Sequence, residues 1–297
     1  MEDFKDMEME LNMELNEKLN EMLNEESNEE PKDYRDEEDL LCCGKCHTRK
    51  EYIVMWPLLD GTDRKVPRAM PIACKCQQER MDKEAAEREE REHRDTVARL
   101  KSICFKSPSR YEQTFDKADM IEPKNLELAR QFVDDWETVK KKKGGLLFWG
   151  DVGTGKSFTA ACIANALMEQ EVKVLMCNIG DFMDSSFGDR EELYKDLTRY
   201  DLIIFDDFGM ERSTDYGLEI VFRVIDTRCE SGKPTIITTN LSLKELQNPR
   251  EREHKRIYDR VLQMCPTPVS FGGESKRKLI HQTKKSIFHQ IFQGGRE

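Results

Sequence analysis

Gly150, Gly155, Lys156 and Ser157 stand in the spacing G-x-x-x-x-G-K-S, inside the run GLLFWGDVGTGKS at residues 145–157. Glycines let a backbone turn tightly with its N–H groups pointing inward, which makes a nest for phosphate oxygens. A helix that begins there aims the positive end of its dipole at the same anions. In such a loop Gly150, Asp151, Val152, Gly153, Thr154, Gly155, Lys156, Ser157 and Phe158 form the cradle. Lys156 reaches the β- and γ-phosphates, and the Ser157 hydroxyl ligates Mg²⁺. The motif needs a strand before it and a helix after it. The apolar run Leu146–Trp149 and the helical run Phe158–Glu169 supply both. The pattern implies a nucleoside triphosphate site.

A Mg²⁺–triphosphate site also needs a carboxylate near the metal. Asp206 ends the apolar stretch DLIIFDD, well downstream of Lys156, and Asp207 beside it is placed to orient or deprotonate an attacking water. The plainer reading of the pair is a strand-end turn or a helix cap. Asn240 ends PTIITTN and is a candidate for holding the water or the γ-phosphate; alone, an Asn there is a turn residue. Phosphoryl transfer further calls for positive charge in the transition state, often an arginine from a neighbouring subunit. Arg256, Arg260 and the run Ser275-Lys276-Arg277 are the candidates.

A second chemistry is written in the cysteines. Cys43-Gly44-Lys45-Cys46 is a C-x-x-C knuckle, and Cys74-Lys75-Cys76 is a C-x-C pair further along the chain. Two thiolate pairs brought together make the four soft ligands of a tetrahedral structural Zn²⁺ site. Cys42 and His47 are rival ligands. Unligated thiols and an iron–sulfur cluster are the competing readings. A segment of this size cannot build a sufficient core, so a metal would supply the missing stability.

The elements that must position these groups follow from periodicity. Val172–Cys177, Asp201–Asp207, Pro234–Asn240 and Pro268–Phe271 read as strands. Leu126–Lys140, Thr214–Glu230 and Glu245–Gln263 read as helices, and Ile179–Leu197 as mixed helix and loop. Strands alternating with helices predict an α/β fold, a parallel sheet with helices on both faces. Ligands of such sheets bind beyond the carboxyl ends of the strands, where Gly150, Asp206 and Asn240 fall. The expected organisation is an acidic arm over 1–40, a zinc-binding module over 41–78, a charged helical linker over 79–102 and the nucleotide domain over 103–297.

Charge supports that division. The 297 residues carry a net charge of −11, but residues 1–40 alone hold 17 Asp and Glu against 4 Lys and Arg. Residues 250–297 hold 11 basic against 5 acidic side chains. Opposite ends of opposite sign suggest two different partners. Near the amino terminus Phe4, Met7, Leu11, Leu15, Leu19 and Met22 recur at helical spacing among Glu and Asn, a stripe too thin to fold alone. Glu29–Leu40, with Pro31, reads as a linker. No apolar run is long enough to span a bilayer and no signal-peptide pattern opens the chain, so a soluble cytoplasmic protein with no membrane partner is expected.

The runs GLLFWGDVGTGKSFTAACIANAL, DLIIFDDFGMER, KPTIITTNLSLKEL, RIYDRVLQMC and GESKR closely resemble the DnaC/DnaI-like helicase loaders. These are AAA+ ATPases that share a domain with the transposition helper IstB. The resemblance spans about residues 41–280, and IACKCQQE and RYEQTFD resemble the zinc-bearing loaders of low-GC Gram-positive bacteria and their phages. It implies an ATPase that forms an ATP-dependent homo-oligomer, touches single-stranded DNA and delivers a hexameric replicative DNA helicase to it. It also implies roles: Lys156 and Ser157 in Walker A, Asp206 and Asp207 in Walker B, Asn240 as sensor 1, Arg277 as sensor 2, and Arg260 as the arginine finger in trans, with Arg256 its rival. Asp207 stands where most AAA+ proteins carry Glu, and the shorter arm implies slow hydrolysis. The stretch after Phe271 is too short for the usual helical lid, as in the lidless loaders. An IstB-like transposase helper and a nucleotide-gated adaptor that scarcely hydrolyses ATP are the alternatives.

Overall fold

The computed structural model describes residues 31–58, 63–184, 187–210 and 214–293. The apolar stripe of residues 1–30 lies outside the described residues, and so does Asp60-Gly61, a pair whose residue types read as a turn. The chain divides into two units, Met1–Glu92 and His93–Glu297.

In the first unit, β1 (Tyr34–Arg35) pairs antiparallel with β2 (Leu41–Cys42), and β3 (Glu51–Pro57) with β4 (Lys65–Pro71). The stretch 29–40 differs from the linker its acidity suggests: from Pro31 on it folds against the first cysteine loop. The Asp36 carboxylate accepts from the Glu38 and Leu40 backbone N–H groups and from Arg49 at 2.7 Å, and Asp33 accepts from Gly44 N–H. These carboxylates satisfy local backbone donors instead of water, a use that charge density alone does not reveal.

A 30-residue helix, Lys75–Cys104, follows. It contains no Gly or Pro, and the i,i+4 pairs Lys75–Glu79, Arg80–Glu84 and Lys83–Glu87 line its exposed surface. Its last turns belong to the second unit, where Val97, Leu100 and Cys104 are buried at i, i+3 and i+7.

The second unit is built on five parallel strands: β5 (Leu146–Gly150), β6 (Val174–Cys177), β7 (Leu202–Phe208), β8 (Thr235–Thr239) and β9 (Thr267–Phe271). Their order across the sheet is β6-β7-β8-β5-β9. The period of two along each strand sorts side chains to two faces. Leu146, Phe148, Leu202, Ile204 and Ile236 join one core with the helices Pro123–Asp134 and Lys156–Glu169. Leu147, Ile203, Phe205 and Ile237 join the other with Phe187–Arg199, Asp215–Ser231 and Arg252–Met264. Strands buried on both faces read as continuous apolar runs, which is why DLIIF and LLFW carry no polar alternation. The predicted helix Leu126–Lys140 is two helices that part at Asp135, and a further helix, Lys276–Gln293, follows β9. Among the described residues no helix is long and apolar enough to cross a membrane.

One polar residue holds the second core together. Arg228 is fully buried, and its guanidinium donates to the carbonyls of Leu197, Tyr200, Asp201 and Pro234 and to the Thr235 hydroxyl. Burial pulls its pKa down to about 10, so it stays charged at neutral pH. The carbonyls belong to the end of one helix and to the starts of β7 and β8, which the side chain ties into one corner. Arg228→Met removes the donor and leaves those acceptors dry. It should cost about 3 kcal/mol or more of unfolding free energy. Urea titration should show a lower midpoint at unchanged slope.

Candidate nucleotide site and cysteine cluster

The phosphate loop runs from the end of β5 into the helix Lys156–Glu169, as its spacing requires. Two of its glycines are obligatory. Gly150 has φ +132°, and a Cβ there would lie 2.1 Å from the carbonyl oxygen of Phe271. Gly155 has φ +107°, and its Cβ would meet Ile121 Cδ1 at 2.1 Å. The loop is held from both sides, by β9 and by the segment before the sheet. The Lys276 N–H donates to Gly153 O, which fastens the start of the last helix to the same loop.

Lys156 is 4% exposed, and its ammonium donates to Gly150 O and Asp151 O at 2.7 Å and to Asn240 Oδ1 at 2.9 Å. Burial pulls its pKa below the usual lysine range, and Asp207, Asp151 and Asp206 pull it back. Thr154 is buried, with its hydroxyl on Asp151 O. Lys156 and Asn240, far apart in sequence, thus meet directly.

The two carboxylates sit on a bulge. Phe205 pairs with Ile237 and Phe208 with Thr239, so Asp206 and Asp207 together face Thr238. Asp207 adopts φ +55°, a left-handed conformation that Asp tolerates better than most residues. Thr238 pins the bulge: its hydroxyl donates to Asp206 Oδ1 at 2.7 Å and accepts from Asp207 N–H at 2.9 Å. Asp206 Oδ2 accepts from Arg110 at 2.8 Å. Burial raises the Asp207 pKa, Asp206 raises it further, and Lys156 and Arg277 oppose.

Many of these groups line a cavity of about 870 Å³, which Asp206 adjoins through its neighbour Asp207 without lining it. Val152, Gly153, Gly155, Lys156, Ser157, Phe158, Asp207, Asn240 and Arg277 line it, and so do Arg110, Gln113, Ile121 and Lys276. Hard oxygen donors at Asp206, Asp207 and Ser157 suit Mg²⁺. Arg260 is placed elsewhere: its Nε lies 3.0 Å from Asp226, on the neighbouring helix. Arg256 sits over the Phe222 ring at 4.8 Å. Neither lines the cavity. Sequence reasoning misses Arg110 and Thr238, whereas Lys276 lies in the basic run Ser275-Lys276-Arg277 that it singles out. Thr238 stands on β8 two positions before Asn240, which follows the strand's end, a period-two signal that could have found it. Arg110 lies in a short 3₁₀ turn, Pro108–Arg110, which carries no periodicity.

In the first unit, the thiols of Cys43, Cys46, Cys74 and Cys76 all lie within 4.8 Å of one another. Cys43 Sγ is 3.5 Å and Cys74 Sγ 3.4 Å from Cys76 Sγ. Tetrahedral Zn–S bonds of ~2.3 Å imply S···S edges of ~3.8 Å, so the cluster is compatible with a zinc site. The rivals are turned away. Cys42 Sγ faces Asp36 Oδ2 at 3.8 Å, and His47 Nδ1 faces the Tyr34 hydroxyl at 3.3 Å. The Thr48 hydroxyl, foremost, brings the Cys46 thiol pKa down to about 5.

The profile of the family described as "IstB-like ATP binding protein" matches residues 75–285. The chain belongs to that family. This IstB-like protein is 30% identical over 162 residues to the replicative helicase loader DnaC of Escherichia coli (strain K12), covering 52% of this chain and 64% of that one. It is 26% identical over 181 residues to the replicative helicase loader DnaI of Bacillus subtilis (strain 168), covering 55% and 58%. The chain therefore spans under two thirds of the length of these curated relatives. A crystal structure of DnaI shares the fold: TM-score 0.51 at 21% identity, over 60% of this chain and 99% of that one.

The raised pKa of Asp207 makes a pH prediction. An acid whose folded pKa lies above its ordinary 3.8 destabilises the fold when ionised. That cost is absent below the unfolded pKa and complete above the folded one. Asn accepts the same positive φ, so Asp207→Asn removes the charge without new strain. In nucleotide-free buffer the variant should melt above wild type at pH 7, and the gap should close as the pH falls toward 3.8.

Proposed function

We propose that this chain is an ATPase that loads a replicative DNA helicase onto single-stranded DNA. One observation carries the ATP half: Lys156, Asp207, Asn240 and Arg277 face one cavity at the carboxyl ends of parallel strands, with Asp206 on the bulge beside it. In this reading the loop N–H groups and Lys156 bind the phosphates, Ser157 and Asp206 hold Mg²⁺, and Asn240 positions the γ-phosphate or the attacking water. Asp207 orients and deprotonates that water. When bound there, Mg²⁺ would supply positive charge beside the phosphates. Arg277, reaching the cavity from the last helix, adds positive charge on the phosphate side. Arg260, engaged with Asp226 away from its own cavity, serves a neighbouring copy in an ATP-dependent homo-oligomer. The short side chain of Asp207, set on a left-handed bulge, favours slow hydrolysis, in which nucleotide acts chiefly as a switch.

The helicase half rests on the similarity to the loaders DnaC and DnaI and on the division of the chain. Every phosphate contact named above lies in the second unit. The cysteine unit presents Tyr52, Ile53, Met55, Trp56 and Val66 exposed on its hairpin. An apolar, solvent-facing ladder suits the grip on a protein better than catalysis. Zn²⁺ held by Cys43, Cys46, Cys74 and Cys76 would set the shape of that grip. The basic segment 250–297 is the proposed contact to single-stranded DNA, through phosphate charge and in a salt-dependent way.

Lys156→Ala should abolish ATP binding in an equilibrium titration with a fluorescent ATP analogue. Retained binding would refute the site. The division of labour has its own test. A 93–297 fragment should bind the analogue yet fail to pull down the helicase. Cys43→Ser in the full chain should lose zinc and helicase capture together while keeping nucleotide affinity within about twofold of wild type, because no phosphate contact is altered. Helicase capture by 93–297 at full-length affinity would overturn the assignment of the grip.

A further inference from the structure

Arg110 has no place in the nucleotide chemistry as read from the motifs, yet its guanidinium reaches the one carboxylate that the metal needs. Arg110 Nη2 lies 2.8 Å from Asp206 Oδ2, with the arginine side chain 29% exposed and the aspartate 6%. Its Nη1 lies 3.2 Å from Met176 Sδ on the neighbouring strand. Arg110 also lines the cavity beside Gln113, Lys156 and Ser157.

The backbone behind that guanidinium is fixed. Asn165, 2% exposed on the helix that follows the phosphate loop, donates its amide to Arg110 O and Gln113 O, both at 2.9 Å. The arginine therefore projects from a turn clamped to the phosphate-loop helix and crosses to β7. Asp206 Oδ1 is already committed to Thr238 at 2.7 Å, which leaves Oδ2 as the oxygen open to a cation. Arg110 holds that oxygen.

A guanidinium and a hexahydrated or phosphate-bound Mg²⁺ cannot both take the full charge of one carboxylate oxygen. Mg²⁺ demands near-ideal octahedral placement of its ligands, whereas Arg accepts a range of angles. We propose that Arg110 is a positioning residue that competes with Mg²⁺ for Asp206 and so sets how strongly nucleotide binding depends on the metal. The proposal rests on the reading of Asp206 as the Mg²⁺ carboxylate. The guanidinium keeps the buried carboxylate paired and aimed, and it yields Oδ2 only when metal arrives with nucleotide.

The test is the ratio of nucleotide affinity with and without Mg²⁺, measured on the full chain by equilibrium titration of a fluorescent ATP analogue. Because the Asn165 clamp uses backbone carbonyls, Arg110→Ala leaves it intact. Arg110→Lys guards against a folding defect by keeping a charge that cannot span both Nη contacts. Losing one charge-assisted hydrogen bond should raise the Mg²⁺ enhancement about tenfold in Arg110→Ala. Arg110→Lys should fall between that value and wild type. In an Asp206→Asn background the Arg110→Ala effect should vanish, since the shared oxygen has lost its charge. An unchanged or smaller ratio in Arg110→Ala would overturn the proposal. So would an equal rise in the Asp206→Asn background, which would mark general electrostatics. Lys156→Ala, run alongside, separates the two failures: if it abolishes binding while Arg110→Ala leaves the ratio unchanged, the nucleotide site stands and only the competition falls.

Discussion

An ammonium taken out of water must find acceptors, and Lys156 finds them in three parts of the chain. Gly150 O ends β5, Asp151 O lies in the loop, and Asn240 Oδ1 follows the end of β8. Leaving a buried lysine unpaired costs several kcal/mol or drives off its proton. Satisfying it fixes the loop against the neighbouring strand. The parallel register of β5 and β8, Leu146↔Ile236 through Trp149↔Thr239, brings the two strand ends level so that this pairing is possible. Phosphate oxygens would meet the same ammonium. The nest is therefore held open by hydrogen bonds that a stronger acceptor can replace, with little rearrangement of the backbone.

The second constraint is the adjacency of two carboxylates on one strand. Ordinary β geometry sends Asp206 and Asp207 to opposite faces. The bulge at Thr238 breaks that alternation, and the left-handed φ of Asp207 is its local cost. One threonine hydroxyl stabilises the distortion by bonding both residues. The two carboxylates meet different surroundings: Asp206 has Thr238 and Arg110 as donors, whereas burial, with Asp206 alongside, raises the Asp207 pKa. Two chemically identical side chains thereby sit in different electrostatic surroundings, the separation that the proposed metal and proton roles call for.

Much of this is legible in the sequence because it is local. The phosphate loop carries its own spacing, and the strands of the sheet announce themselves as short apolar runs bounded by polar ends. The parts that are not legible are long-range or aperiodic. Arg110 meets Asp206 from a distant 3₁₀ turn, which has no pattern to read. The helix Lys276–Gln293 is hidden because its strongest signal, the run of Lys and Arg, reads as a solvated tail. The break at Asp135 and the burial of Arg228 follow from tertiary packing, which overrides propensity. Asp33 and Asp36 read as solvated charge because their acceptor role depends on neighbours that only the folded cysteine loop brings near.

The cysteine unit obeys a different rule from the nucleotide unit. Among its described residues Leu40, Cys42, Cys43, Gly44 and Cys74 are the buried ones, and the β3–β4 ladder leaves Ile53 and Met55 half in water. A two-stranded hairpin is marginal in water without a third strand or a packed face. The apolar area that the unit buries is too small to offset the chain entropy of ordering the segment. What remains is the thiol cluster, which joins the loop after β2 to the start of the long helix. A tetrahedral cation there would close the stretch between Cys46 and Cys74 and order the hairpin within it, with no core required. The exposed ladder then costs the fold little, because the fold does not depend on burying it, and its apolar side chains stay available to a partner. A unit stabilised through its ligands can keep its surface for recognition, whereas the nucleotide unit commits both faces of its sheet to packing and keeps only the strand ends for chemistry.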